Sequence, residues 1–472
     1  MRMHEDAQVP LGFSEIKEDW EEGGLRIAVL VSGGVDSSVA LQRLVDAGNE
    51  CTAFYLQIWF QEHFDNYWGE CPWEEDLSYV RAVCERLRVP LEVVPLTETY
   101  WDKVVQATID EYRQGRTPNP DIMCNSRVKF GAFYEHIGGE DGDDCTFGAF
   151  DAVASGHYAR SLPSASLAAH SSAASAGGDE FVLCCAPDAV KDQTYFLSGL
   201  TQSQVRRARF PIGSLTKPEV RALAGRYGLP NDKRRDSQGI CFLGKVPFSE
   251  FVKSHLGTQK GDIVEFESGA RLGTHEGFWF HTVGQRKGLG LSGGPWYVVG
   301  KDVVNNIVFV SNSIGKVLKD HGHAHAPTAP AGSGDHGGQS ASDDSDTFQC
   351  DSLNWISGRP PEALLGKEAT GQRAGSAQAH INCSVKVRHG PEMYRCAVAP
   401  VFNGSGGFGD STEGRRQRVP DALSVTLSAR DQGIAGGQFA VFYDEGVCLG
   451  SGIIQVRAAD DWYAARMHAS DR

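Results

Sequence analysis

Ser32, Gly33, Gly34, Val35, Asp36, Ser37 and Ser38 follow the apolar run "LRIAVLV" and lead into the helical pattern "VALQRLVDAG". A strand, a glycine turn and a helix start bring free backbone N–H groups and the positive end of a helix dipole to one point, which makes a cradle for phosphate. Gly33 and Gly34 let the backbone approach closely. The hydroxyls of Ser32, Ser37 and Ser38 add polar groups, and Asp36 is a partner for phosphate-bound magnesium. No lysine follows the glycines, so this is not the Gly-x-x-x-x-Gly-Lys-Ser/Thr loop. Two cysteines stand in distinctive surroundings. Cys124, in "GRTPNPDIMCNSRVKFG", follows Asp121 and precedes Arg127 and Lys129, cations that favour a thiolate. Composition leaves it balanced between a reactive thiol and an inert buried one. Cys241, in "KRRDSQGICFLG", stands behind Lys233, Arg234 and Arg235, and taken alone it reads as a core cysteine. A phosphate cradle together with two such cysteines suits one chemistry: adenylate a carbonyl oxygen, then displace AMP with cysteine-borne sulfur.

The elements that must position these residues read as alternating strands and helices from 25 to 247. "LRIAVLV", "CTAFYLQIW", "LEVVPL" and "DAVASGHYA" are expected strands, with helices near 37–47, 74–88 and 99–113. That alternation predicts an α/β fold, a doubly wound parallel sheet with ligands at the carboxyl ends of its strands. Residues 161–179 and 321–346 are Ser/Ala-rich and Gly/Ser/His/Asp-rich, and are expected to be exposed insertions, with a further loop at 402–418. The C-terminal half carries short β-like runs such as "PWYVVG", "NIVFVS", "CSVKVR" and "QFAVFYDEGVCLGSGII" between turn residues, predicting a β-barrel. The expected division is an uninformative extension over 1–24, a catalytic domain over 25–247, a small central domain over 248–300 and a barrel over 301–472.

At 472 residues the chain needs more than one core. No apolar run is long enough to span a bilayer. The net charge of −15 excludes a wholly basic nucleic-acid coat but leaves room for local clusters, such as Arg113 with Arg116, Lys233 to Arg235, and Arg286 with Lys287. Twelve cysteines are scattered without any Cys-x-x-Cys pair, which suits a reducing compartment and gives no support to a zinc or iron–sulfur site. His321, His323 and His325 alternate in a low-complexity stretch and carry no metal assignment, so no resident metal is expected.

The loop Ser-Gly-Gly-x-Asp-Ser-Ser is the pattern of the PP-loop ATP pyrophosphatases. With "EEDLSYVRAVCERLRVPLEVV", "PNPDIMCNSRVKFG", "ASGHYAR", "KDQTYFL", "SQGICFLG", "TVGQRKGLGLSGGPWYVVGKD" and "AVFYDEGVCLGSGII" in order, the chain resembles the tRNA-specific 2-thiouridylase family over nearly its whole length. The resemblance implies ATP bound by Ser32, Gly33, Gly34, Val35, Asp36, Ser37 and Gly156. Leu56 stands where the family usually has a methionine beside the adenine. Asn119, Pro120 and Asp121 would meet the target base, Cys124 would be the nucleophile, and Cys241 would carry a persulfide. His157, Lys191, Asp192, Gln193, Arg388, His389 and Gln438 resemble tRNA-contacting positions, although "AGGQ" at 435–438 lacks a proline common there. The implied reaction makes 2-thiouridine at the wobble position of tRNAs of the Glu, Gln and Lys types. It uses ATP, Mg2+ and a cysteine desulfurase or sulfur-relay protein as persulfide donor, and pairs Cys124 with Cys241 as a disulfide afterwards. The wording near 277–302 is similar to plant and algal members, so a plastid or mitochondrial location is expected, with the cytoplasm as the alternative. Two rivals are a PP-loop ligase acting on a small molecule and a tRNA-binding protein without catalysis.

Overall fold

The computed structural model describes residues 16–58, 72–138, 150–167, 180–236, 248–312, 347–365, 380–402, 408–410, 416–429, 431 and 433–455. The chain begins with β1 (Arg26–Leu30), α1 (Val35–Asp46), β2 (Glu50–Gln57), α2 (Pro72–Leu87) and β3 (Leu91–Pro95). Ile27, Ala28, Val29 and Leu30 are all buried, as a strand covered on both faces requires. Val35, Val39, Ala40, Leu41 and Leu44 turn the apolar face of α1 inward. A helical run follows: α3 (Thr97–Tyr100), a π-helical turn (Trp101–Val105), α4 (Gln106–Arg113), α5 (Pro120–Met123), a longer π-helical segment (Cys124–Ala132) and α6 (Phe133–Gly138). Next come β4 (Ala152–Ser155), β5 (Ala159–Pro163), β6 (Phe181–Cys185), α7 (Thr194–Leu197), α8 (Gln202–Arg207), β7 (Ala208–Arg209) and α9 (Lys217–Tyr227). The sheet order β3-β2-β1-β4-β7 is parallel throughout, as the alternation predicts.

The stretch "DAVASGHYA" is two strands rather than one. Gly156 to Tyr158 turn the chain out of the parallel sheet, and β5 pairs with β6 in a different sheet. Residues 161–167 are therefore not an exposed insertion. Ser161 donates to the Val205 carbonyl at 2.7 Å, while Leu162 and Leu167 are buried with Cys184 and Val447. The remainder of that insertion, 168–179, lies outside the described residues, as does 321–346.

The central unit contains α10 (Phe248–Leu256), β8 (Gly261–Glu265), β9 (Arg271–His275), β10 (Tyr297–Asp302) and β11 (Ile307–Ser311) in the order β10-β11-β8-β9. A boundary at 300 would cut β10, whose ladder with β11 belongs to this sheet, so the unit runs on to 312. The C-terminal strands are β12 (Thr347–Trp355), β13 (Ile381–Lys386), β14 (Tyr394–Val401), β15 (Phe408–Asp410), β16 (Arg416–Arg418), β17 (Ala422–Leu427), β18 (Phe439–Asp444) and β19 (Val447–Gln455). The ring β12-β17-β14-β13-β18-β19 closes through β19 pairing with β12, an antiparallel barrel of six strands. Closure leaves this ring no free edge of its own, yet β19 also pairs with β6, so the β5–β6 hairpin extends the barrel sheet. Within 402–418, expected as a loop, β15 and β16 form a ribbon. Among the described residues no helix is long and apolar enough to cross a membrane.

Candidate ATP and thiol site

The turn after β1 is held open by its own side chains. Gly33 has φ +75, and a Cβ there would stand 2.5 Å from the Asp76 carbonyl oxygen, so glycine is required on both counts. Ser37 donates to the Gly34 carbonyl at 3.1 Å and accepts from the Ser32 N–H at 3.2 Å. Ser38 donates to the same carbonyl at 3.0 Å. Ser37 and Ser38 are buried and shape the loop, whereas Ser32 is exposed. Val35 opens α1 facing the core. Gly156, just beyond β4, lies against the same turn, where a Cβ would meet the Ser37 nitrogen at 2.6 Å. Leu56, half-buried near the end of β2, is in register with Val94.

Sequence reasoning missed the groups that complete this loop. Asn231, buried, donates to the Gly33 carbonyl at 2.8 Å and to Ser38 Oγ at 2.9 Å. Asp36 accepts from the Tyr158 hydroxyl at 3.0 Å and from Lys217 Nζ at 2.8 and 2.9 Å. Lys217 also pairs with Asp236 at 2.8 Å, and Asp236 takes Lys191 at 2.9 Å and Arg221 besides. Burial works to raise the Asp236 pKa, but hydrogen bonds from Lys217, Lys191 and Arg221 prevail and hold it below the ordinary range. The signal for Lys217 was present: Thr216 and Glu219 form a capping box at the start of α9, and a lysine in that first turn opposes the helix dipole.

The second motif is built on α5. Asn119 caps it by accepting from the Asp121 and Ile122 N–H groups at 3.2 and 3.4 Å, and Pro120 occupies the first turn. Cys124 is 1% exposed and opens the π-helical segment, a geometry that recurs at functional sites. Arg127 points away, donating to the Lys103 carbonyl at 2.9 Å. Lys129 remains as the local cation, bonded to Asn125 at 3.1 Å. Burial pushes the Asp121 carboxyl up, with Lys129 partly opposing this. Cys241 lies outside the described residues.

A raised native pKa means that Asp121 favours the folded state in its protonated form, a contribution lost as pH rises through the native value. Asp121→Asn is therefore expected to increase stability at neutral pH, with the gain over wild type vanishing below the ordinary pKa of 3.8. Urea midpoints measured across pH check this, and a variant less stable than wild type at pH 7 would refute it.

The expected tRNA-contacting positions divide. His157 is buried between Phe130 and Phe210, with Nδ1 2.7 Å from Ser155 Oγ. Burial and Lys129 push its pKa well down, so the ring is neutral. Gln193 accepts from the Tyr158 N–H at 2.9 Å, and Asp192 is enclosed against Lys386 of the barrel at 3.3 Å. Lys191 joins the ion-pair chain leading to Asp36. From the barrel, Arg388 bonds Asp431, His389 stacks on Phe196 with ring centroids 4.5 Å apart, and Gln438 donates to the Thr117 carbonyl at 2.8 Å. The Thr117 N–H returns a bond to the Gly436 carbonyl at 2.8 Å. The "AGGQ" turn thus holds the loop leading into Asn119 and Cys124. Among the described residues no group of three or more His, Cys, Asp or Glu side chains is arranged to hold a metal.

A parallel sheet with a Ser-Gly-Gly-x-Asp-Ser turn at its carboxyl edge defines an ATP-using enzyme of the PP-loop class. Family models match in chain order: a tRNA methyl transferase HUP domain at 25–245, a tRNA methyl transferase PRC-barrel domain at 249–312, and an aminomethyltransferase beta-barrel domain at 414–454. The tRNA-specific 2-thiouridylase MnmA of Parabacteroides distasonis is 38% identical over 91% of this chain and 99% of its own. That of Porphyromonas gingivalis strain W83 is 38% identical over 91% of this chain and 98% of its own. The chain belongs to the tRNA-specific 2-thiouridylase family. A solved NMN synthetase from Francisella tularensis is 14% identical with a TM-score of 0.27, covering 50% of this chain and 78% of that one.

Proposed function

We propose that this chain replaces oxygen by sulfur at carbon 2 of the wobble uridine of tRNA, using ATP and a cysteine persulfide. The reading is carried by one juxtaposition in a chain related throughout to 2-thiouridylases. The ATP loop follows the carboxyl end of β1, and the π-helical segment opened by Cys124 packs on α3, which leaves the carboxyl end of β3. A uridine carbonyl is a poor electrophile, and its oxygen leaves readily only as AMP. The loop N–H groups hold the phosphates for that adenylation. Flipping the base from a single-stranded anticodon loop costs a few kcal/mol. Asn119, Pro120 and Asp121 receive the base beside Cys124, and Cys241 supplies the terminal persulfide sulfur. As that sulfur bonds to carbon 2, AMP leaves with the original oxygen; Cys124 Sγ attacks Cys241 Sγ and breaks its S–S bond, the sulfur stays on the product, and external thiols supply the two electrons that reduce the Cys124–Cys241 disulfide.

Asp36 suits a phosphate-carried magnesium ion. It is a carboxylate in the first turn of α1 with three hydrogen bonds and lone-pair capacity left over, and Mg2+ characteristically takes one or two carboxylates with phosphates and water. When bound, such an ion would supply charge neutralisation to the phosphates. The Glu, Gln and Lys tRNA types and a desulfurase or sulfur-relay donor complete the reading. A fluorescent fusion of the full-length gene product is expected in a plastid or mitochondrion, and a cytosolic signal would refute that location.

The deciding experiment is transfer of labelled sulfur to unmodified glutamine, lysine or glutamate tRNA by wild type, Cys124→Ser and Cys241→Ser, with magnesium, ATP and a persulfide donor. Thiouridine from wild type alone is expected. Absence of thiolation, with AMP release persisting in both variants, would overturn the reading in favour of a small-molecule ligase.

A further inference from the structure

Lys217 occupies a position that the fold of α9 does not need. It is the first residue of that helix, where a positive charge opposes the dipole, and its Nζ is directed at the ATP loop. Its side chain is only 14% exposed and passes over the Tyr158 ring at 5.9 Å. The ammonium sits between Asp36 on the loop side and Asp236 on the other. Asp236 in turn is held by Lys191 and Arg221, so it stays in place if Lys217 loosens its hold on Asp36. The backbone end of α9 is satisfied separately, since the Lys217 N–H donates to Asp188 at 3.0 Å and Thr216 and Glu219 close the capping box.

We propose that Lys217 is the cation that meets the phosphates of ATP, with Asp236 as the residue that positions it. The proposal rests on the ATP-dependent reading above. The loop's backbone donors attract an anion, but the Asp36 carboxylate beside them repels one unless a cation balances it. In the structure as it stands Lys217 supplies that balance. With magnesium–ATP bound, Asp36 would be available to the metal and Lys217 would pass its second interaction from Asp36 to a phosphate oxygen, keeping Asp236 as its fixed partner. Because Nζ already lies within hydrogen-bond distance of a residue in the first turn of α1, the exchange needs a side-chain adjustment and no movement of α9. A lysine is thereby returned to a phosphate loop whose own sequence has none, from a helix distant along the chain. Asp236 keeps Lys217 directed across the loop, and its amide equivalent would let the ammonium swing free.

The test measures pyrophosphate release against ATP concentration at saturating tRNA for wild type, Lys217→Met, Lys217→Arg, Asp236→Asn and Asp236→Glu. ATP binding without tRNA is measured by calorimetry on the same preparations. Lys217→Met is expected to lower kcat by about 100-fold or more and to weaken ATP binding, with partial recovery in Lys217→Arg. Asp236→Asn is expected to raise KM for ATP about tenfold with a smaller change in kcat, and Asp236→Glu to restore much of it. A purely structural tie between α9 and α1 would lower the melting temperature of Lys217→Met but leave ATP binding and KM within twofold of wild type, and that result overturns the proposal. Should Lys217→Met not fold, Lys217→Arg with unchanged ATP affinity and kcat, together with an unchanged KM in Asp236→Asn, would overturn it equally. Should wild type bind ATP but release no pyrophosphate with tRNA, the proposed function fails, while the calorimetric comparison still decides the role of Lys217.

Discussion

Gly156→Ala is expected to cut ATP-dependent pyrophosphate release by about 100-fold. The added Cβ would lie 2.6 Å from the Ser37 nitrogen, 2.7 Å from the Asp36 carbonyl carbon and 2.8 Å from the Ser37 Cα. All three atoms are backbone at the start of α1, so no rotamer change relieves the overlap, and β4 and α1 must move apart. Displacement of the loop by a fraction of an ångström would misdirect the N–H groups proposed to hold phosphate. The accompanying loss of stability is about 1–3 kcal/mol, the usual cost of overpacking. Gly225→Ala is the matched control: it lies within α9, its Cβ would meet nothing within 4 Å, and alanine there is expected to be neutral or stabilising by up to about 1 kcal/mol. Pyrophosphate release and melting temperature for the pair separate the local clash from a general effect of alanine. Full activity in Gly156→Ala would show that the turn is free to move.

The second large effect concerns the junction between the catalytic domain and the barrel. Asp192 and Lys386 are 2% and 4% exposed, and their ion pair spans the two units. Asp192 also accepts from the Ala186 N–H at 2.9 Å and the Thr194 hydroxyl at 2.6 Å, and Thr194 lies 3.1 Å from the Tyr443 hydroxyl of the barrel. Asp192→Ala strands the lysine charge and removes an acceptor from two donors, and is expected to cost about 3–5 kcal/mol. Lys386→Met leaves Asp192 with both remaining donors and should cost less, about 1–3 kcal/mol. The double variant should be more stable than Asp192→Ala alone, because the stranded charge goes with its partner. Urea unfolding read through hydrogen exchange of β13 and α7 tests the ranking. Asp192→Ala within about 1 kcal/mol of wild type would show that the pair is not buried as a unit. Asp192, expected to contact tRNA, turns its oxygens inward in this structure, to the Ala186 N–H, Thr194 and Lys386.

Local order was legible wherever one segment makes its own contacts. The alternation of "LRIAVLV", "CTAFYLQIW" and "LEVVPL" with helical patterns determined the parallel sheet, and Ser-Gly-Gly-x-Asp-Ser-Ser marked the turn at its carboxyl edge as the proposed phosphate site. Asn119 and Pro120 are a helix cap readable from residue types alone, because a cap is made by neighbours in the chain. What the sequence left undecided depends on partners far apart along it. Asn231 reaches Gly33 and Gln438 reaches Thr117 with no local pattern to betray them, and Lys217, marked by its place in a capping box, gives no local sign that its partner is Asp36. The same reason explains the error at 161–167. Residues 161–167 read as part of a Ser/Ala-rich linker, yet α8 takes the Ser161 hydroxyl and Val447 of β19 packs with Leu162 and Leu167. Residue types and spacing pointed to a phosphate cradle and two candidate cysteines; only the tertiary structure showed which distant lysine pairs with Asp36 beside that turn, since charge pairing across a fold follows distance in space and not in sequence.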